Sequence, residues 1–168
     1  MKDILDDFQT QTKLVKLAHD IASKAHAGQK RKEGVPYITH PEAVAQIVDT
    51  EFYTLMPTSE AARNIWAPMK NYIIMAALLH DTIEDTYVTS ELLRQAGFPI
   101  MVIEMVQIVT KRPNENYFDF VMRIQESGHV GAKMVKLADL RHNMSDLGEG
   151  SMKDKYRLAE HILAFFNK

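Results

Sequence analysis

Apolar residues return every three or four positions over long stretches of this chain, the period an amphipathic helix presents to a core. Leu14, Leu17, Ala18, Ile21, Ala22 and Ala25 form one such stripe, which stops at Gly28, so a first helix is expected over about residues 7–27. Residues 28–40, GQKRKEGVPYITH, hold two glycines and a proline around Lys30-Arg31-Lys32 and read as an ordered basic loop. Pro41 opens a second helix at its preferred first position, with Val44, Ile47 and Val48 turned inward. Pro57 and Pro68 flank a short helical pattern that contains Trp66. A helix starting near Lys70 follows, apolar all round from Ile73 to Leu79 and therefore buried, and it runs into His80-Asp81-Thr82-Ile83-Glu84-Asp85. Thr89 or Ser90 caps another that stops at Gly97, and Pro99 starts the next, to about Thr110. After a KRPNEN loop, Tyr117, Phe120, Val121 and Ile124 mark one more helix, and Ala132 to about Asn143 another. Met152, Tyr156, Ala159, Ile162, Leu163 and Phe166 give the last its stripe. No strand alternation or internal repeat is found, so the fold class is all-α.

With 168 residues the chain is long enough for one domain, 1–168, with a substantial core. Its 20 basic and 22 acidic residues leave a formal charge of -2, so no global field favours nucleic acid or an anionic membrane. An anionic ligand must instead meet local positive charge. There is no cysteine, which excludes disulfides and thiolate ligands and leaves His, Asp and Glu to bind any metal. Met1 to Thr10 is acidic and polar, and no run of about 18 apolar residues occurs. A soluble, cytoplasmic protein is the expectation.

The HDTIED stretch places an imidazole and three carboxylates within six residues. On a continuous helix His80 and Glu84 are i and i+4, as are Asp81 and Asp85, so all four share a face. Carboxylates roughly 4 Å apart repel by about 1 kcal/mol in water and more when partly buried, and a divalent cation removes that cost. The plainer reading is a solvated acidic helix end, but His80 and Asp81 emerge from a buried helix, and buried ionisable groups need partners. His40 and Asp139 offer the same chemistry from distant segments. Two imidazoles and two carboxylates suit Mn, Fe(II), Zn or Co and exclude an all-oxygen Mg or Ca shell. Taken singly, His40 can be a helix cap, and Asp139 a surface acid or the partner of Lys136 or Arg141. His19 and His26 suit packing or loop orientation, His129 and His161 the surface, and His142 is undecided.

Three segments bring a family resemblance. AHAGQKRKEGVPYITHP, residues 25–41, resembles the first motif of the hydrolase domain of the RelA/SpoT family, within the HD superfamily. AALLHDTIEDT, residues 76–86, and VKLADLRHN, residues 135–143, match its next signatures in order. The match spans about residues 8–165. The resemblance implies a helical HD fold and a Mn-dependent enzyme that removes pyrophosphate from the 3′ position of (p)ppGpp, the alarmone of the stringent response. By family position His40, His80, Asp81 and Asp139 would ligate the metal, and Glu84 and Asp85 would position and activate water, Glu84 being the better proton acceptor. Arg31 and Asn143 would contact substrate, with Lys32, Tyr37 and Lys136 as further contacts. The chain resembles small stand-alone alarmone hydrolases, the metazoan SpoT homologue among them. It departs from them in two places. Residues 53–69 read as an insertion that packs on the core, covers the pocket or mediates self-association into a homo-oligomer, packing being the plainest role. Leu140 stands where many relatives have a basic residue and Arg141 follows instead, which bears on substrate selectivity. Competing readings are an HD phosphohydrolase of an adenosine alarmone, NADPH or another nucleotide, and a nucleotide-binding sensor without turnover.

Overall fold

The computed structural model describes residues 2–32, 34–55 and 69–165. Trp66, Pro57, Pro68 and Phe166 lie outside the described residues, as does most of the expected insertion. The helices are α1 (Lys2–Ala25), α2 (Thr39–Leu55), α3 (Lys70–Leu79), α4 (Thr82–Asp85), α5 (Ser90–Gln95), α6 (Ile100–Val109), α7 (Tyr117–Glu126), α8 (Val130–Ser145) and α9 (Ser151–Phe165). Among the described residues extended pairing is confined to an isolated bridge between Lys30 and Pro36, inside the basic loop. The fold is all-α, as the periodicity requires.

The hub is α3, packed against α1, α2, α6 and α8. Ile73, Met75, Ala76, Ala77, Leu78 and Leu79 are all buried, which is why this helix is apolar on every side rather than striped. Full burial of a side chain such as Leu79 or Phe52 contributes about 1.5–3 kcal/mol. The second buried helix is α8, which lies on α2, α3, α6 and α9. Gly131 permits its close approach: a Cβ there would stand 2.6 Å from Met105 Sδ and 3.2 Å from Ile73 Cγ1. Because α3 and α8 cross inside the molecule, polar residues on either are forced to find partners in the core.

Helix ends follow local chemistry. Thr89 accepts from Leu92 N at the start of α5, and Asn116 accepts from Asp119 N at the start of α7. Gly97, at φ +87°, takes the left-handed turn that closes α5. Pro41 is not the first residue of α2; the helix begins at Thr39, and Pro41 still falls in the first turn, where a missing N–H costs nothing. That shift puts His40 inside the helix. His129, expected to be a surface residue, is half-buried and caps α8, its Nδ1 accepting from Ala132 N.

The HDTIED helix is not continuous. It breaks at His80-Asp81 and resumes as the single turn of α4, although both residues keep right-handed helical angles. Thr82 is buried and its hydroxyl donates to Leu79 O, while the Thr86 hydroxyl donates to Thr82 O, so side chains take carbonyls that an unbroken ladder would use. Among the described residues no helix is long and apolar enough to cross a membrane.

Candidate active site

Four ligand-type residues meet where the first turn of α2, the α3–α4 break and the middle of α8 converge. Ligand atoms of His40, His80 and Asp139, all buried, lie within 4.8 Å of one another. Asp139 Oδ1 is 3.1 Å from His40 Nε2 and 3.7 Å from His80 Nε2. Asp81 closes the group, with Oδ2 3.5 Å from His40 Nε2 and 3.1 Å from His80 Nε2.

His80 carries the clearest mark of a ligand. Its Nδ1–H donates to Ala77 O at 2.7 Å, and a carbonyl can only accept, so in the neutral ring Nε2 holds a lone pair. That Nε2 is buried and makes no hydrogen bond. A proton or a cation must therefore face the two carboxylates from this nitrogen, and a divalent cation would meet the lone pair and both carboxylates at once. The donor set fits a divalent transition metal, and His40, His80 and Asp139 form a possible site for one.

The charges around it agree. Burial works against charge on His80, yet Asp81 and Asp139 outweigh it and lift the pKa to about 10. Burial likewise opposes ionisation of Asp81 and Asp139, but His80 beside the first and Lys136 beside the second hold both carboxyls well below the usual range. Both therefore stay anionic, and a bound divalent cation would replace the His80 proton. Tyr37 donates its hydroxyl to Asp81 Oδ2 at 2.7 Å, and burial with the Asp81 charge pushes the phenol far up, so it remains a donor.

A cavity of about 510 Å³ opens beside this centre, lined by Lys30, Arg31, Lys32, Tyr37, His142 and Asn143 among others. The basic loop thus supplies three cations to one wall. Arg31 pairs with Asp146 at 2.7 Å and reaches Asn143 Oδ1 at 3.4 Å. Asn143 donates from Nδ2 to Asp139 Oδ1 at 2.6 Å, which ties the cavity wall to the centre. Of the five expected substrate contacts, Lys136 alone lies off the cavity wall. Its ammonium sits 2.7 Å from Asp139 Oδ2 and 5.0 Å from the Phe120 ring centroid, because a buried carboxylate demands the nearest cation.

Glu84 and Asp85 point in different directions. Glu84 is exposed and accepts Lys111 N–H at 2.8 Å, so the helix break sends it toward the 111–116 loop rather than onto the face of His80. Asp85 stays near the centre: burial and then Asp81 raise its pKa, while His26, His80 and His40 oppose the rise. His26 is buried, stacks on Tyr37 with centroids 4.6 Å apart, and bonds Gln29 Oε1 from Nδ1 at 2.8 Å. Gln29 then donates to Asp85 O at 3.1 Å, so His26 orients the loop, as its position at the loop start implies.

The exchange at positions 140 and 141 is structural. Leu140 is fully buried in the core, and Arg141 pairs with Glu51 of α2 and Glu160 of α9, away from the cavity. Sequence reasoning left out Asp146 and left His142 undecided. Their signal was helical spacing from Asp139, with His142 at i+3 and Asn143 at i+4 on one face of α8.

Comparison with known proteins places this geometry. The HD domain family model matches residues 18–168. The bifunctional (p)ppGpp synthase/hydrolase SpoT of Escherichia coli K12 is 34% identical over 172 residues, covering 95% of this chain and 22% of that protein. The guanosine-3′,5′-bis(diphosphate) 3′-pyrophosphohydrolase of Haemophilus influenzae is 33% identical over 157 residues, covering 87% of this chain and 20% of that protein. The chain thus spans about a fifth of the length of these curated relatives. A solved structure, described as a metazoan ortholog of SpoT that hydrolyzes ppGpp and plays a role in starvation responses, has a similar fold. It superposes with a TM-score of 0.66 at 23% identity, over 89% of this chain and 83% of that one.

Proposed function

The chain belongs to the HD domain family, and from that premise we propose that it is a divalent-metal phosphohydrolase that removes the 3′-diphosphate of (p)ppGpp as pyrophosphate. One water is consumed, the bond between the ribose 3′ oxygen and phosphorus breaks, and that oxygen leaves with a proton. The reading makes residues 1–168 one catalytic domain of alarmone turnover in the stringent response, in the cytoplasm, with Mn2+ as the metal. The observation that carries it is a cation-lined cavity adjoining a buried cluster with an orphaned imidazole nitrogen. The relatives' names supply the substrate class.

His40, His80, Asp81 and Asp139 would hold the metal. When bound, a divalent metal lowers the pKa of an attacking water and polarises a phosphoryl oxygen. Asp85, whose raised pKa suits a proton acceptor, takes the water proton. Glu84, held by Lys111 N–H, fixes the turn that carries Asp85. Lys30, Arg31 and Lys32 neutralise the diphosphate, and Asn143 bonds the nucleoside side. Arg31 must exchange Asp146 for a phosphate oxygen as substrate enters.

The test is incubation with Mn2+ and a nucleotide panel, with products resolved by chromatography. Pyrophosphate from ppGpp supports the reading. Orthophosphate or other products from an adenosine alarmone or NADPH would move the chain to another nucleotide. Binding without products would make it a sensor.

A further inference from the structure

His142 sets its ring against the first candidate ligand. His40 Nδ1 and His142 Nδ1 are 2.8 Å apart, with ring centroids 4.9 Å apart. Two lone pairs cannot bond each other, nor can two N–H groups, so one of these nitrogens carries a proton and the other does not. His40 decides which. Its Nε2 faces the centre, 3.1 Å from Asp139 Oδ1, and a ring that gives its Nε2 lone pair to a cation keeps its proton on Nδ1. His40 Nδ1–H is then the donor and His142 Nδ1 the acceptor. A neutral His142 has one remaining proton, and it must sit on Nε2.

The same ring lines the cavity beside Arg31 and Asn143. It is therefore not a spare ligand, because its Nδ1 is occupied by His40. Asp139, His142 and Asn143 lie on one face of α8, so a single helix face carries a ligand, the orienter of a second ligand and a cavity contact. We propose that His142 is a positioning residue with two separable tasks: Nδ1 fixes the tautomer and orientation of His40 for metal binding, and Nε2–H donates to an oxygen of the nucleotide in the cavity. This rests on the metal-dependent nucleotide hydrolase reading. Partners of this kind beside a ligating imidazole typically account for about 10–100-fold in metal affinity.

The two nitrogens can be replaced one at a time. His142→Asn retains an acceptor near the Nδ1 position and cannot reach as far as Nε2. His142→Gln carries an amide donor out to the Nε2 position and loses the Nδ1 acceptor. Mn2+ titration of the metal-free protein and the KM for ppGpp are measured on the parent, His142→Ala and both amides, with a thermal melt to confirm folding. His142→Ala is expected to weaken Mn2+ binding by about 10–100-fold and to raise KM. His142→Asn should recover most of the Mn2+ affinity but not KM, and His142→Gln the reverse. Parent-like Mn2+ affinity in folded His142→Ala would overturn the inference, as would amides that recover both properties together or neither. A parent that binds no Mn2+ would instead overturn the reading of the centre beneath it. A parent that binds Mn2+ without acting on ppGpp would overturn the substrate assignment, while the Mn2+ titration still decides the His40 task.

Discussion

Asp85, exposed like Glu84, still loses part of its hydration within electrostatic reach of Asp81, and both conditions raise its pKa above the ordinary carboxyl value of 3.8. Glu84, one residue earlier, is exposed and already accepts a backbone N–H. Asp85→Asn is therefore expected to lower kcat by about 10²–10⁴-fold, while Glu84→Gln, which keeps an acceptor for Lys111, loses less. Single-turnover rates at saturating Mn2+ and ppGpp check the order, and a larger loss in Glu84→Gln would return the proton-accepting role to Glu84. A base works only when deprotonated, so kcat/KM should fall as pH drops through the raised Asp85 pKa, and Asp85→Asn should remove that limb. The same shift has a stability consequence of fixed sign. A carboxyl whose folded pKa is raised stabilises the fold below its unfolded pKa and ceases to as pH rises past the folded one. At neutral pH the Asp85 charge is thus a burden on the fold, and Asp85→Asn should melt higher than the parent while turning over more slowly. A lower melting temperature would contradict the assigned strain.

Arg123, on α7, joins elements that hardly touch otherwise. It donates to Ile108 O and Thr110 O at 2.9 Å each, at the C-terminal end of α6, and bonds both Glu115 oxygens, at 2.7 and 2.9 Å. One guanidinium thereby satisfies helix-end carbonyls and pins the loop whose Lys111 N–H holds Glu84. The hydrogen bond from Arg123 lowers the Glu115 pKa to about 2 against burial. A lowered carboxyl pKa stabilises above the unfolded value of 4.5 and ceases to as pH falls toward 2. Arg123→Gln is expected to cost about 1.5–3 kcal/mol at neutral pH, in line with hydrogen bonds to charged groups, and to flatten the parent's loss of stability between those two values. Urea melts across that range measure it; parallel curves for the two proteins would place the coupling elsewhere. Helix ends of this molecule were largely legible beforehand, since Thr89 and Gly97 act within one turn of their own position. The break at His80-Asp81 was not, because it goes with full burial of Thr82 and with partners that His80 and Asp81 reach only through the fold, Asp139 for the first and Tyr37 and His40 for the second.

At the scale of the whole molecule, α3 and α8 bring ionisable groups into an apolar core, and the centre joins three segments that no local force holds together. A metal that binds the folded state and not the unfolded one stabilises by about 2.7 kcal/mol at 100 times its Kd. For a chain of this size each kcal/mol shifts the midpoint by about 2–4 °C. Saturating Mn2+ should therefore raise the melting temperature by about 5–11 °C over the chelated protein, and the shift should vanish in Asp139→Ala. An equal rise in that variant would mean binding outside the centre. The sequence by itself determined the all-α class, most helix bounds, the residue types able to ligate and, through three ordered motifs, the HD family. These rest on hydrophobic period and cap chemistry, which act over one or two turns. Only the tertiary structure decided that Lys136, of the two basic residues near Asp139, is the one that pairs with it, that Glu84 turns to Lys111, and that the His142 and His40 rings meet at Nδ1. Each is a choice of partner for a charged or polar group in a low-dielectric setting, where the nearest opposite charge or free lone pair wins, and nearness there is set by how distant helices pack.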